Sequence, residues 1–341
     1  MPGRAPVQIN HLKTDRCSGI LDTQNSLGKT ISAKLAEADI NYQGLLSDCT
    51  LCPRKCHADR NSGMRGYCGM DSSIRAARAA LHMWEEPCIS GDKGSGAVFF
   101  SGCSLRCCFC QNREIAVGNQ GSIISTERLA DIFLELEQKG AANINLVTGT
   151  HFVPQIIRAL ELAKTAGLQL PVVYNCGGYE TKETIDLLKG YVDVYLPDFK
   201  YMDGELAKKF SNAEDYPDIA KTAVETMVRQ TGKCEFGEDG YIKKGTVVRH
   251  LVLPGHRANS VRILEYLHKT YGDQIYISIM NQYTPVFEQK KYPELNRKVT
   301  KREYEKVLSE ALELGIENGF FQEGDTAEES FIPQFGGEGI Y

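Results

Sequence analysis

Cys103-Ser104-Leu105-Arg106-Cys107-Cys108-Phe109-Cys110 is the stretch whose reading decides the fold. Cys103, Cys107 and Cys110 stand in CxxxCxxC spacing. Three thiolates this close can hold three irons of a [4Fe–4S] cluster, because soft sulfur donors select iron–sulfur chemistry. A cluster that only carries electrons wants a fourth cysteine, since four thiolates close all its coordination sites. Cys108 is a spare thiol in the run, but two adjacent residues seldom both point at one small cluster. An iron left without a protein ligand is an open site. A lone CxxxCxxC also allows a zinc knuckle or buried structural cysteines.

Working outward, the cysteines follow directly on a short apolar β run, Ala97–Phe100. Further β runs are predicted at Asn143–Val147, Pro171–Tyr174, Val192–Leu196, Thr246–Leu253 and Ile275–Met280, with helical patterns between them. Leu129, Ile132, Phe133 and Leu136 recur at i, i+3, i+4 and i+7 before Gly140, and Ile156, Ile157 and Leu160 keep a similar spacing before Gly167. Pro217 suits the first turn of a helix running to about Gln230. Thr300 and Glu303 form a capping box ahead of Tyr304, Val307, Leu308 and Ala311. Strands alternating with helices mean parallel βαβ units, so the fold class is α/β, a parallel sheet covered by helices. In barrels of such units the chemistry sits on the loops after the strands. The cluster cysteines lie where that rule puts them.

Upstream, Cys49-Thr-Leu-Cys52-Pro-Arg-Lys-Cys56 and Cys68 form a complete four-thiolate set. Zinc needs only these four, and so does a second, closed iron–sulfur cluster; unligated thiols are the remaining alternative. His57 reads as solvated, and Cys17 as an inert lone thiol. Residues before about 45 are mixed and polar, with one weak helical stretch around Ile31–Ala38. Between Arg75 and Gly96 lies a basic, alanine-rich stretch and then the sole tryptophan, Trp84, with Glu85 and Glu86, which could line a site although a solvated pair is the commoner outcome. The expected division is an extension with the cysteine-rich module over 1–95 and a core over 96–341.

The bulk properties bound the function. A chain of 341 residues can bury a full core. Net charge is −5 with mixed signs throughout, which gives no basic footprint for nucleic acid. No apolar run approaches a membrane span and the first residues lack the apolar core of a signal peptide, so a cytoplasmic location is expected. Twelve cysteines then point to metal sites before disulfides.

Polar or glycine-rich residues follow the other predicted strands: Thr148-Gly149-Thr150-His151, Asn175-Cys176-Gly177-Gly178-Tyr179, Pro197-Asp198-Phe199-Lys200 and Met280-Asn281-Gln282. Arg249 lies inside the apolar fifth strand, where a charge is costly unless paired, so it argues for a ligand or a buried partner. His250 alternates to the opposite side and reads as structural.

These motifs together resemble the radical S-adenosylmethionine (SAM) superfamily, in which an aromatic residue, here Phe109, precedes the last cysteine. The resemblance implies a partial (β/α)6 barrel and an open iron that chelates the amino and carboxylate groups of SAM. It implies reductive cleavage of SAM to a 5′-deoxyadenosyl radical that removes a hydrogen atom from the substrate. Many members carry GGE where this chain has Thr148-Gly149-Thr150, so the contact to the SAM amino group is weaker here or made by backbone carbonyls. The stretches at Asn175, Asp198–Lys200 and Arg249-His250-Leu-Val-Leu-Pro254-Gly255 are similar to those of glycyl-radical activating enzymes, in which they touch SAM. The SAM site so implied comprises Phe109, Thr148, Gly149, Thr150, Asn175, Asp198, Lys200, Arg249 and Gln282. Over residues 45–340 the whole pattern resembles an iron–sulfur family related to pyruvate formate-lyase activating enzyme. Abstraction from a protein glycine is therefore expected, with modification of another peptide or a small molecule as the alternative. A non-catalytic iron–sulfur carrier is the alternative of a different class. A flavodoxin or ferredoxin donor and an anaerobic setting are implied as well, while no side chain is assigned a catalytic role.

Overall fold

The computed structural model describes residues 42–118, 120–322 and 333–341. The chain divides into two units between Tyr42 and Gln43, and the fold that follows is that of residues 43–341. The helical stretch expected at Ile31–Ala38, and Cys17, lie outside the described residues.

After a helical turn at residues 43–47 (α1) come strands Ile74–His82 (β1) and Ser95–Phe100 (β2), then helix Arg113–Ala116 (α2) and strand Ser122–Ile124 (β3). The alternating part follows as Thr126–Gln138 (α3), Ile144–Val147 (β4), Val153–Thr165 (α4), Val172–Cys176 (β5), Lys182–Leu187 (α5) and Val194–Pro197 (β6). It continues with Gly204–Ser211 (α6), Tyr216–Thr231 (α7), Glu235–Phe236 (β7), Ile242–Leu251 (β8), Arg257–Tyr271 (α8) and Tyr276–Met280 (β9). Lys301–Glu313 (α9) and Gly319–Phe321 (β10) complete the described elements.

The strands form one sheet in the order β10-β9-β8-β6-β5-β4-β2-β1-β3, with β7 paired to β8. Every neighbouring pair from β2 to β10 on this path is parallel, while β1 runs antiparallel to both β2 and β3. Among the described residues the two outermost strands do not pair with each other, so the sheet is open. Strands β2, β4, β5 and β6 are buried at every position, as expected of parallel strands covered on both faces.

The helices form for the reasons their sequences carry. Ser125 caps α3 by accepting from Arg128 N at 3.1 Å, and Leu129, Ile132, Phe133 and Leu136 face inward. Each such side chain contributes about 1.5–3 kcal/mol by leaving water. The Thr300–Glu303 capping box on α9 is present in both directions. A proline stands in the first turn of α7.

The stretch from Arg75 to Gly96, read only as basic and alanine-rich, opens with all but the first residue of the nine-residue strand β1. Alanine has little β propensity, so the pairing partner β2 decides the conformation. Residues 333–341 lie along β1, where Ala79 N donates to Glu338 O at 2.8 Å. Among the described residues no helix is long and apolar enough to cross a membrane.

Candidate functional site

The loop after β2 opens with Gly102 at φ 88°, and Arg106 also takes a left-handed backbone at φ 51°. These turns fold Cys103, Cys107 and Cys110 into one wall of a cavity of about 230 Å³ at the C-terminal ends of the parallel strands. Leu105 N–H points at Cys103 Sγ at 3.4 Å, and the Ser211 hydroxyl at Cys107 Sγ at 2.9 Å. Both are donors that suit a thiolate. Cys108, unlike the other three cysteines of the loop, does not line the cavity, and its N–H donates to Phe210 O at 2.8 Å. Phe109 is buried and meets Phe210 and Tyr283 edge-to-face at 6.2 and 6.1 Å.

The opposite wall is a polar network centred on Arg249. Its Nε donates to Asp198 Oδ1 at 3.0 Å, Nη1 to Glu85 Oε2 at 2.9 Å and Nη2 to Asn175 Oδ1 at 2.5 Å. Asn175 and Asn145 both donate to Glu85 Oε1 at 3.1 Å. Lys200 closes on the other oxygen of Asp198. Burial pushes the Asp198 carboxyl up, yet Lys200 and Arg249 outweigh it and hold the group below its ordinary value. The expected buried partner of Arg249 is thus found.

Thr148 and Thr150 line the cavity, whereas Gly149 packs beneath them against Phe100 and Ile156. Thr148 stands at φ 59°, a strained backbone for a β-branched residue, with its N–H held by Asn175 O at 2.9 Å. Thr150 donates to Glu180 Oε1 at 3.0 Å and accepts from the Tyr174 hydroxyl at 3.2 Å. Glu180 is 2 % exposed, and its Oε2 has no hydrogen-bond partner in the geometry of the described residues, although the Cys176 thiol lies against the carboxyl. Burial lifts this carboxyl to about 7. Gln282 reaches the rim, its carbonyl accepting from Gln111 Nε2 at 2.8 Å, so the loops after β2 and β9 meet.

Two findings depart from the sequence reading. Glu85 and Glu86 are not a solvated pair: Glu85 is bound to Arg249, and Glu86 is 8 % exposed. Glu180 went unnoticed, although Gly177-Gly178 ahead of it marks a chain that folds back over its own strand. Gly178 stands at φ 74°, and a Cβ there would sit 2.1 Å from Asp198 O. His250 is buried between Phe199 O at 2.7 Å and Ser260 Oγ at 2.8 Å, a structural placement.

Of the upstream cysteines, Cys49, Cys52 and Cys68 are buried and Cys56 is exposed. Burial pushes the Cys52 thiol up to about 12, and the nearby Cys68, Cys49 and Cys56 add to the rise. Among the described residues no three His, Cys, Asp or Glu side chains converge as a single-ion site. This module abuts the cluster loop through Arg54, which donates to Ser104 O at 2.8 Å and to Ser211 O at 3.0 Å.

Residues 97–267, half of the chain, match the radical SAM superfamily. The chain belongs to that superfamily. Membership implies an enzyme with a [4Fe–4S] cluster and SAM. The three cavity-lining cysteines fit such a cluster by their chemistry: soft donors on one loop, with cavity space beyond them. A curated relative of this radical SAM protein, "Uncharacterized protein MJ0674" of Methanocaldococcus jannaschii, is 29 % identical over 274 residues, 78 % of this chain and 75 % of that one. Streptococcus suis SuiB bound to S-adenosylmethionine is similar over 65 % of this chain at 15 % identity and a TM-score of 0.43. The match takes in 48 % of SuiB, so this chain spans about half its length. A radical SAM methyltransferase from Sphaerobacter thermophilus is similar over 67 % of this chain and 66 % of its own, at 12 % identity and a TM-score of 0.47.

Proposed function

We propose that this radical SAM enzyme abstracts a hydrogen atom from a protein glycine, as a glycyl-radical activase of the pyruvate formate-lyase activating type does. Supporting this reading is the meeting of Asn175, Asp198, Lys200 and Arg249, the residues of the activase-like stretches, across one cavity from Cys103, Cys107 and Cys110. A partial (β/α)6 barrel is part of the same proposal, in keeping with the contact between the loops after β2 and β9.

When bound, the cluster and SAM would supply a 5′-deoxyadenosyl radical for the abstraction. The protein's own residues bind and orient. Arg249 donates to Asp198, Glu85 and Asn175 and so positions these groups, and it lines the cavity together with Lys200, which offers a cation for the SAM carboxylate. Glu180, steadied by Thr150, takes the ammonium in place of the acid missing from the Thr148-Gly149-Thr150 turn. Phe109 packs the cluster loop from below, while Thr148 and Gln282 edge the pocket. Cys49, Cys56 and Cys68 lie near Cys52 and would have to draw together to hold zinc or a second iron–sulfur cluster; the module abuts the cluster loop through Arg54. A flavodoxin or ferredoxin in the cytoplasm supplies the electron.

The departure at Thr148–Thr150 and the cysteine-rich module favour a second reading, modification of another peptide or a small molecule. Anaerobic reconstitution with iron and zinc quantified, then incubation with SAM and a reductant, tests both. Absence of 5′-deoxyadenosine removes the enzyme reading. Deuterium transfer from the glycine of a glycyl-radical enzyme selects the activase.

A further inference from the structure

A second cavity of about 320 Å³ adjoins the first, at the small end of ligand-binding pockets. The two share Trp84, Glu85, Arg249, Met280 and Gln282. Its own wall includes Glu86, Ser278 on β9, Phe320 and Phe321 on β10, and Gln322 just beyond. Burial raises the Glu86 carboxyl above its ordinary value, against the pull of Arg249 and a hydrogen bond from Ser278, and Oε2 keeps no hydrogen-bond partner among the described residues. A buried carboxylate oxygen without a donor is costly unless something fills the place.

Charge points the same way. The described residues lining the two cavities carry four carboxylates, Glu85, Glu86, Glu180 and Asp198, against the two cations Arg249 and Lys200. Arg249 holds Glu85 and Asp198, and Lys200 holds Asp198 again. Glu86 and Glu180, one in each cavity, make no direct ion pair among the described residues, and burial raises both carboxyls although Arg249 and Lys200 stand near enough to pull them down. Beside Glu86 stand Trp84 and Phe321, each 58 % exposed, whose ring faces attract cations and whose area suits an alkyl chain.

We propose that the second cavity binds a primary ammonium group carried on an apolar chain, with Glu86 as its counter-ion. As the place where a substrate enters, it rests on the radical SAM reading above; as a binding site it does not. The ligand class is therefore an amine-bearing molecule or a lysine side chain of a partner protein.

Trp84 is the sole tryptophan, so its emission reports on the cavity. Anaerobically reconstituted full-length protein is titrated with N-acetyl-lysine amide and with its uncharged counterpart, N-acetyl-norleucine amide. The lysine probe is expected to give a saturable change and to bind at least about tenfold more tightly, as a charge-assisted contact in a buried site implies. Glu86→Gln is expected to bring the lysine probe down to the norleucine level. Equal binding of the two probes, no binding of either, or a preference that survives in Glu86→Gln would overturn the proposal. Should that variant not fold, the lysine-to-norleucine ratio of the unaltered protein decides. The titration needs no SAM cleavage. A lysine preference without 5′-deoxyadenosine formation removes only the radical reading, and 5′-deoxyadenosine without a lysine preference removes only this site.

Discussion

Arg249 on β8 donates through Nη1 to Glu85 Oε2 at 2.9 Å, joining a central strand to the segment that follows β1. The side chains are 14 % and 9 % exposed, so the pair is largely shielded from water and salt. Removing one partner of such a pair leaves a bare buried charge, which costs about 3–5 kcal/mol. Arg249→Met is expected to lower stability by about that amount in a denaturant titration, because Glu85 loses its only cation and keeps just the amides of Asn145 and Asn175, while Asp198 is left to Lys200 alone. An unchanged midpoint would mean that the guanidinium is not the hub of the network.

Cys107 and Cys108 are neighbours with opposite destinations. Cys107 faces the cavity and takes the Ser211 hydroxyl, while Cys108 is anchored against Phe210. Cys108→Ser is expected to keep full iron loading after reconstitution, and Cys107→Ser to lose it. Iron and sulfide analysis with visible absorbance reads the difference; equal loss would mean the ligands are misassigned.

Glu180 is expected to make SAM binding depend on pH. Burial raises its carboxyl from 4.5 to about 7, so the anion that attracts an ammonium is present only above that value. SAM affinity should therefore rise between pH 6 and pH 8. Glu180→Gln should flatten the rise and weaken binding about tenfold at pH 8, as loss of a charge-assisted contact predicts. The stability linkage has the opposite sign: the folded state binds the extra proton, so this group's contribution to stability falls as pH climbs from 4.5 to about 7. A binding isotherm that ignores pH over this range would contradict the role given to Glu180.

Gly178 cannot be replaced quietly. With φ at 74° and Asp198 O 2.1 Å from the place of a Cβ, Gly178→Ala meets both a strained backbone and a clash. The left-handed conformation alone costs about 1–3 kcal/mol. The clash must also displace the loop that carries Asp198 and Lys200, so SAM affinity should fall together with the melting temperature. A variant that melts lower but binds SAM unchanged would separate the turn from the site.

The six parallel strands were legible because they are apolar runs broken by turn residues, and the cysteine loop because thiol spacing is rarely accidental. Arg249 was legible as well, since a charge inside an apolar strand demands a partner. Its partner Glu85 was not, because Glu85-Glu86 beside a proline looks like any solvated acidic pair until the fold buries it. Glu180 was hidden for a related reason: it lies four residues beyond β5, and only the turn at Gly178 swings it back into the cavity. β1 escaped notice because alanines pattern weakly, and β10 is only three residues long.

The antiparallel strand β1 leads the chain to Glu85 beside Arg249, Asn145 and Asn175, and this makes the parallel segment dependent on what precedes it. A polypeptide begun at residue 96 would keep all three cluster cysteines and every parallel strand. It would also leave the Arg249 guanidinium without its Glu85 partner and β2 with an unpaired edge. Excising the parallel portion for study in isolation should thus yield an aggregating fragment, and the minimal working enzyme has to start upstream of Ile74.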